Sequence, residues 1–223
     1  MNPVSPARPQ AKATVDPMSS QAAGTELPPT IQPRPRDAGA TKARLLRAAT
    51  EEFAEHGLAG ARVDRIAERA GANKRLIYVY FGDKDRLFDA VVDDQACAVM
   101  AAVPLPDGDL AAFAAARFDY VLANPTVRRI AHWRAFERTE PTEDELAGYR
   151  IRLEAVAAAQ REGRLRADIP AADLFALVMR MTESWLAAPT ALWIVADGDP
   201  LAPERLAEHR QALLAAVRSV IAG

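Results

Sequence analysis

From Thr41 onward, apolar residues recur at helical spacing, and glycines cut the pattern into short pieces. Leu45, Ala49 and Phe53 repeat every four residues with Leu46 beside them, and Gly57 follows as a stop. Val63, Ile66, Ala67 and Ala70 stand at i, i+3, i+4 and i+7, which gives a short helix one apolar face. Gly71 ends that helix. Asn73 is a favourable N-cap for a third piece that holds Ile77 and Phe81 inward. Gly82-Asp83 breaks the chain again, and Asp83 caps a longer helix containing Leu87, Phe88, Val91 and Val92. Alanine is abundant, no long run is β-branched, and no strand-like alternation or internal repeat is convincing. The chain reads as all-α, in two parts.

The remaining boundaries follow from prolines and glycines. Pro104 and Pro106 open a break, after which helices are predicted over 109–123, 126–138 and about 143–162, the last stopped by Gly163. Asp168 to Pro170 opens a helix holding Leu174, Phe175, Leu177, Val178, Met179 and Met181, which Pro189 ends or kinks. A last helix runs from Pro203 or Glu204 to Ile221. Residues 1–37 carry Pro3, Pro6, Pro9, Pro17, Pro28, Pro29, Pro33 and Pro35 with little to bury, so they are expected to be disordered or extended. Arg34 and Arg36 at the end of that segment read as a solvated leader or as an arm touching a polyanion.

Composition narrows the function classes. Half of the 223 residues are hydrophobic and the net charge is −2, so a sizeable core is expected and a histone-like basic coat is not. The single cysteine, Cys97, excludes an internal disulfide framework and a multi-cysteine zinc site; a packed thiol is its default. No apolar run reaches membrane-spanning length and no signal core follows a basic start, so a soluble cytoplasmic protein is expected, with no membrane partner. The three histidines, His56, His132 and His209, lie far apart without metal-ligand spacing. No glycine-rich phosphate loop, nucleophile elbow or paired catalytic carboxylate is present. No catalytic residue, metal site or cofactor is assigned, and the chain is not expected to be an enzyme.

Within this near-neutral chain, Gly71–Leu87 concentrates Lys74, Lys84, Arg75, Arg86, Tyr78 and Tyr80. Two short helices meeting at Gly71 make a helix-turn-helix candidate with the second as the reader. The outward residues are then Lys74, Arg75, Leu76, Tyr78 and Tyr80, placed to meet phosphates and base edges of double-stranded DNA. Lys42 and Arg44 divide evenly between surface charge and phosphate contact. Lys84, at a helix start, suits a phosphate better than the helix dipole.

The block RVDRIAERAGANKRLIYVYFGDKDRLFDAV resembles the N-terminal domain of TetR-type (TetR/AcrR) transcriptional regulators. Ile66-Ala67, Ala70-Gly71, Lys74, Tyr78-x-Tyr80-Phe81, Lys84 and Leu87 fall in its register, as do Ala48-Ala49, Phe53 and Gly57 of the preceding helix. The likeness spans Thr41 to Val91; beyond it the chain matches in being helical and in the segment GRLRADIP. The resemblance implies a DNA-binding domain over 38–84 and a helical ligand-binding and dimerisation domain over 85–223, joined by the long helix from Lys84. Two departures bear on recognition. Where the family often has Thr or Ser, this chain has Ala61-Arg62, so Arg62 is expected to make the phosphate contact. Arg75 and Leu76 replace a small residue and a Thr, which suits a guanine and a thymine methyl.

The resemblance further implies a homodimer on a palindromic operator, released by a small-molecule effector, with repression the commoner mode and activation the alternative. The expected DNA contacts are Lys42, Arg44, Arg62, Asn73, Lys74, Arg75, Leu76, Tyr78, Tyr80 and Lys84. Candidate pocket residues are Phe113, Phe118, His132, Trp133, Phe136, Tyr149, Met179, Glu183 and Trp185, against which stands plain core packing for the aromatics. Leu174, Leu177, Val178, Met181, Leu206, Leu213 and Val217 are the candidate dimer interface. The rival is a helical protein-interaction module with no sequence-specific DNA binding.

Overall fold

The computed structural model describes residues 35–137 and 140–222, with side chains from residue 38. The proline-rich segment and its Arg34 and Arg36 therefore lie outside the described side chains. Among the described residues no strand occurs. Ten α-helices follow in order: α1 Pro35–Gly60, α2 Val63–Arg69, α3 Lys74–Phe81, α4 Lys84–Ala102, α5 Leu110–Ala123, α6 Pro125–Glu137, α7 Glu143–Arg161, α8 Ala171–Met181, α9 Thr190–Val195 and α10 Pro203–Ile221. The starts obey local chemistry. Asn73, Asp83, Asp109 and Thr142 each accept from a backbone N–H in the first turn of the helix that follows.

Two cores divide the work. The first gathers Leu45 and Phe53 of α1, Ile66 of α2, Ile77 and Phe81 of α3, and Leu87, Phe88, Val91 and Val92 of α4. Phe53 and Phe88 meet edge to face at 5.1 Å. The second holds Leu110, Phe113 and Phe118 of α5, Val156 of α7, Leu174 and Val178 of α8, Trp185, and Leu213 and Val217 of α10. The break expected after residue 84 falls ahead of the turns of α4 that complete the first core. The helix then crosses into the second core with Val99 and Val103.

Helix α6 also joins the two parts, because its Ile130 is buried in the first core. The Trp133 ring lies against Gly57, where a Cβ would come within 2.8 Å of the indole. At φ 65° and ψ −178°, Gly57 occupies a region open essentially to glycine alone and breaks the regular course of α1. Trp133 Nε1 donates to the Ala54 carbonyl at 3.3 Å, fastening the joint.

The helix expected to run towards Pro189 stops at Met181. The chain tightens into turns, and two indole bonds fix it there: Trp185 Nε1 donates to Pro200 O and Trp193 Nε1 to Trp185 O. Pro189 then starts α9 instead of ending α8. The expected dimer residues also divide. Leu174, Val178, Leu213 and Val217 are sealed in the chain's own core, because α8 and α10 spend those stripes on each other and on α5 and α7. Those four are corrected out of the interface. Leu177 is exposed, and Met181 and Leu206 are half-buried.

Candidate nucleic-acid interface and effector cavity

The α2–α3 turn is built by Gly71 at φ +57°, with open space where a Cβ would sit. Gly71 N–H donates to Glu68 O and Ala72 N–H to Ala67 O, closing the end of α2. Asn73 then caps α3 through Arg75 N–H at 2.8 Å. With 3.6 residues per turn, positions 74, 75, 78 and 79 share one side of α3 and positions 76, 77, 80 and 81 the other. Burial follows this division. Ile77 and Phe81 are buried, and Leu76 and Tyr80 are half-buried against the same core. Lys74, Arg75, Tyr78 and Val79 are exposed.

Two expected readers turn inward instead. Leu76 and Tyr80 share the inner arc with Ile77, and the Tyr80 hydroxyl is buried without a hydrogen-bond partner among the described residues. Val79, 65% exposed, takes an outward place the sequence reading missed; its position four residues after Arg75 was the available signal. Lys74 keeps its place on the outer arc, where Nζ pairs with Asp64 of α2 at 2.8 Å, and this bond raises the lysine pKa above its ordinary value. Lys84 is half-buried and its Nζ donates to Ala61 O at 3.4 Å, so its charge lies at the start of α2. Lys42 sits 5.6 Å from the Phe81 ring, beside α3. Arg44 bonds Thr41 at 3.2 Å and borders a cleft with Arg69, at the far end of α2.

Arg62 is exposed and makes no side-chain cap at the start of α2. That role falls to Glu52 of α1, which is fully buried. Its Oε1 accepts from the Arg62 N–H and from Arg65 Nε, both at 2.8 Å. Burial pushes the Glu52 carboxyl up, but the bonds from Arg65 and Arg62 and the charges of Arg65 and His56 outweigh it. The net effect leaves the group below its ordinary value. A carboxylate on a neighbouring helix thus replaces the missing hydroxyl cap, a contact that no local motif announces.

A second site lies between α4, α5, α6, α7 and α8, where a mainly apolar cavity of about 140 Å3 opens. Of the expected residues it takes Phe113, Tyr149 and Met179. The others have different work. Phe118 is core and faces His209 at 5.6 Å. Trp133 is the joint to α1. His132 is exposed, with the Phe136 ring 5.0 Å away and itself 75% exposed. Glu183 pairs with Arg117 and Arg180. Trp185 stacks on His209 beneath the Arg205 guanidinium, 3.9 Å from its ring. His132, Trp133 and Glu183 border a separate open cleft of about 780 Å3 beside α6 and the end of α1. The cavity instead receives three arginines that sequence reasoning missed, Arg117, Arg134 and Arg152. Cys97, expected as a packed thiol, is exposed on α4.

This combination of reading head and helical cavity domain can be set against known proteins. The pattern of bacterial regulatory proteins of the tetR family matches residues 45–91, and that of the tetracyclin repressor-like C-terminal domain matches residues 109–219. Over 190 residues the chain is 35% identical to the HTH-type transcriptional repressor SCO4008 of Streptomyces coelicolor, covering 83% of this chain and 97% of that protein. The chain belongs to the TetR family of DNA-binding transcriptional regulators. The family likeness therefore extends through the C-terminal part, where sequence reading found only helicity. Among TetR-type folds, SCO4942 of Streptomyces coelicolor, described as a candidate transcriptional regulator, is 33% identical with a TM-score of 0.71, covering 81% of this chain and 98% of that one. FadR of Bacillus subtilis, solved with stearoyl-CoA, shares the fold at 16% identity and a TM-score of 0.60, over 81% of this chain and 99% of its own. Within the TetR family the head is the DNA-binding domain and the C-terminal part the ligand-binding one. Among the described residues, no helix is long and apolar enough to cross a membrane.

Proposed function

We propose that the chain acts in the cytoplasm as a homodimeric repressor, held on an inverted-repeat operator and released by a small molecule. The outer arc of α3 carries this reading: Lys74, Arg75, Tyr78 and Val79 face solvent while Ile77 and Phe81 fix the helix from behind. Arg75 suits a guanine edge, Tyr78 a phosphate, and Val79 a thymine methyl. Lys42 and Lys84 lie close enough to α3 to add phosphate contacts, whereas Arg44 is the weaker candidate at the far end of α2. Arg62, exposed at the start of α2, is the other phosphate candidate. The curated relatives with the same head include several named repressors, which favours repression over activation.

Pairing of subunits has its own support. Leu177 on α8 and Leu192, Ile194 and Val195 on α9 leave apolar surface uncovered in one subunit, between 49% and 82% exposed. Two heads at fixed spacing then read both halves of a palindrome. A ligand preferring one spacing shifts the population by its difference in affinity.

The test is selection of bound fragments from a random DNA pool, followed by footprinting. Enrichment of an inverted repeat, lost with Arg75→Ala, is the expected result. A pool with no enriched sequence would leave the protein-interaction module as the better reading. Light scattering at micromolar concentration should return the mass of a dimer, and a monomer would contradict the pairing.

A further inference from the structure

Three arginines border the cavity, and the carboxylates around them, Glu145, Glu183 and Asp93, gather at Arg134 and Arg117. Arg134 is answered by Glu145 through two bonds of 2.6 and 2.5 Å. Arg117 meets Glu183, yet its Nε is buried with no partner. Among the described residues, Arg152 meets no carboxylate. Of the five N–H groups of its guanidinium, one goes to the Gly148 carbonyl and two to the Met100 and Val103 carbonyls at the end of α4. Two donors remain. Burial pulls the Arg152 guanidinium below its ordinary value, the mark of a cation short of a counter-charge. Around these groups the wall is apolar, with Val99, Phe113, Phe175 and Met179.

We propose that the effector is a compact organic acid whose carboxylate seats against Arg152 and Arg117 and whose apolar body fills the space between α4, α5 and α8. This rests on the reading of the chain as a ligand-released regulator. The volume sets the scale. A cavity near 140 Å3 compares with the roughly 150 Å3 that holds a benzene molecule in an apolar protein interior. One ring or a short branched chain fits, and single charge-assisted bonds from the donors left on Arg152 and Arg117 orient it. A neutral congener forfeits the charge in those bonds, and a cation meets like charge. Because Arg152 also grips the last carbonyls of α4, the same side chain that holds the acid holds the end of the helix leading to the reading head. Occupancy therefore bears directly on that helix.

The test uses the whole 223-residue chain and matched probes: benzoate and phenylacetate, their amides, and benzylamine, each titrated by calorimetry and by release of selected operator DNA. The acids should bind at least about tenfold more tightly than the amides, with the amine weakest. Arg152→Gln should erase the preference for acid over amide, while Arg152→Lys, which keeps the charge and supports the fold, should retain part of it. Amides or the amine binding as well as the acids, or no probe of the series binding, would overturn the assignment. Release of DNA by neutral or cationic probes alone would sink it while leaving the regulator reading intact. Acids that bind with the Arg152-dependent preference but never release DNA would uphold the charge assignment and count against ligand release.

Discussion

Glu52 shows how much one side chain can organise. It sits fully buried in α1, yet it caps α2 and holds Arg65. Glu52→Gln keeps the shape but loses the charge and one good acceptor, so it should cost about 1–3 kcal/mol in urea unfolding at pH 7. Its carboxyl has an ordinary value of 4.5 and lies lower in the fold. The stabilisation it gives is therefore whole above pH 4.5 and is lost as pH falls through the lower folded value. The variant should show a shallower loss of stability than the parent over that acid range. The two tyrosines of α3 make a second test. Tyr80→Phe removes a buried hydroxyl that has no partner, so stability should hold or rise by up to about 1 kcal/mol with DNA affinity unchanged. Tyr78→Phe, at an exposed position, should leave stability alone and weaken operator binding in a gel-shift titration. Lys74, Arg75 and Tyr78 were legible from the sequence because charge and a hydroxyl keep them at the surface, on the arc that Ile77 and Phe81 leave free. Leu76 and Tyr80 were not, because a residue beside the buried pair turns inward only when the neighbouring helices supply a bed for it.

At the scale of elements, the helix boundaries were the most readable feature, since caps and stops are local chemistry. Asn73, Asp83 and Gly71 do in the structure what their types predict. The premature end of α8 was illegible because two indole bonds, to carbonyls 15 and 8 residues away, decide it. Two glycines differ in what a Cβ would cost. Gly71→Ala meets only an unfavourable φ, with open space around it, and should destabilise by about 1–2 kcal/mol. Gly57→Ala meets both a backbone region kept for glycine and the Trp133 ring at 2.8 Å, and should lose clearly more in the same denaturant titration. Equal losses would mean that the backbone and the indole both yield easily there.

Across the whole molecule, two cores share α4, and α6, which follows directly on α5 of the second core, packs Ile130 and Trp133 against the first. That double connection predicts one unfolding transition in calorimetry. Trp133→Ala should split it, with the reading head melting first; a single transition moved to lower temperature would show that α4 suffices. The cavity was the least legible part. Aromatic residues on amphipathic helices look alike in sequence, and tertiary contacts alone send Phe113 to the cavity, Phe118 to the core and Phe136 to the surface.

The seat of Trp133 also provides an intrinsic optical gauge. Of the three tryptophans, Trp185 and Trp193 lie 6.4 Å apart in the second core, far along the chain from Gly57. Exchanging those two for phenylalanine gives up their indole bonds beyond α8 and leaves a lone emitter wedged at the junction. Its colour and lifetime then register, without any dye, whether a molecule arriving on one side is felt on the other.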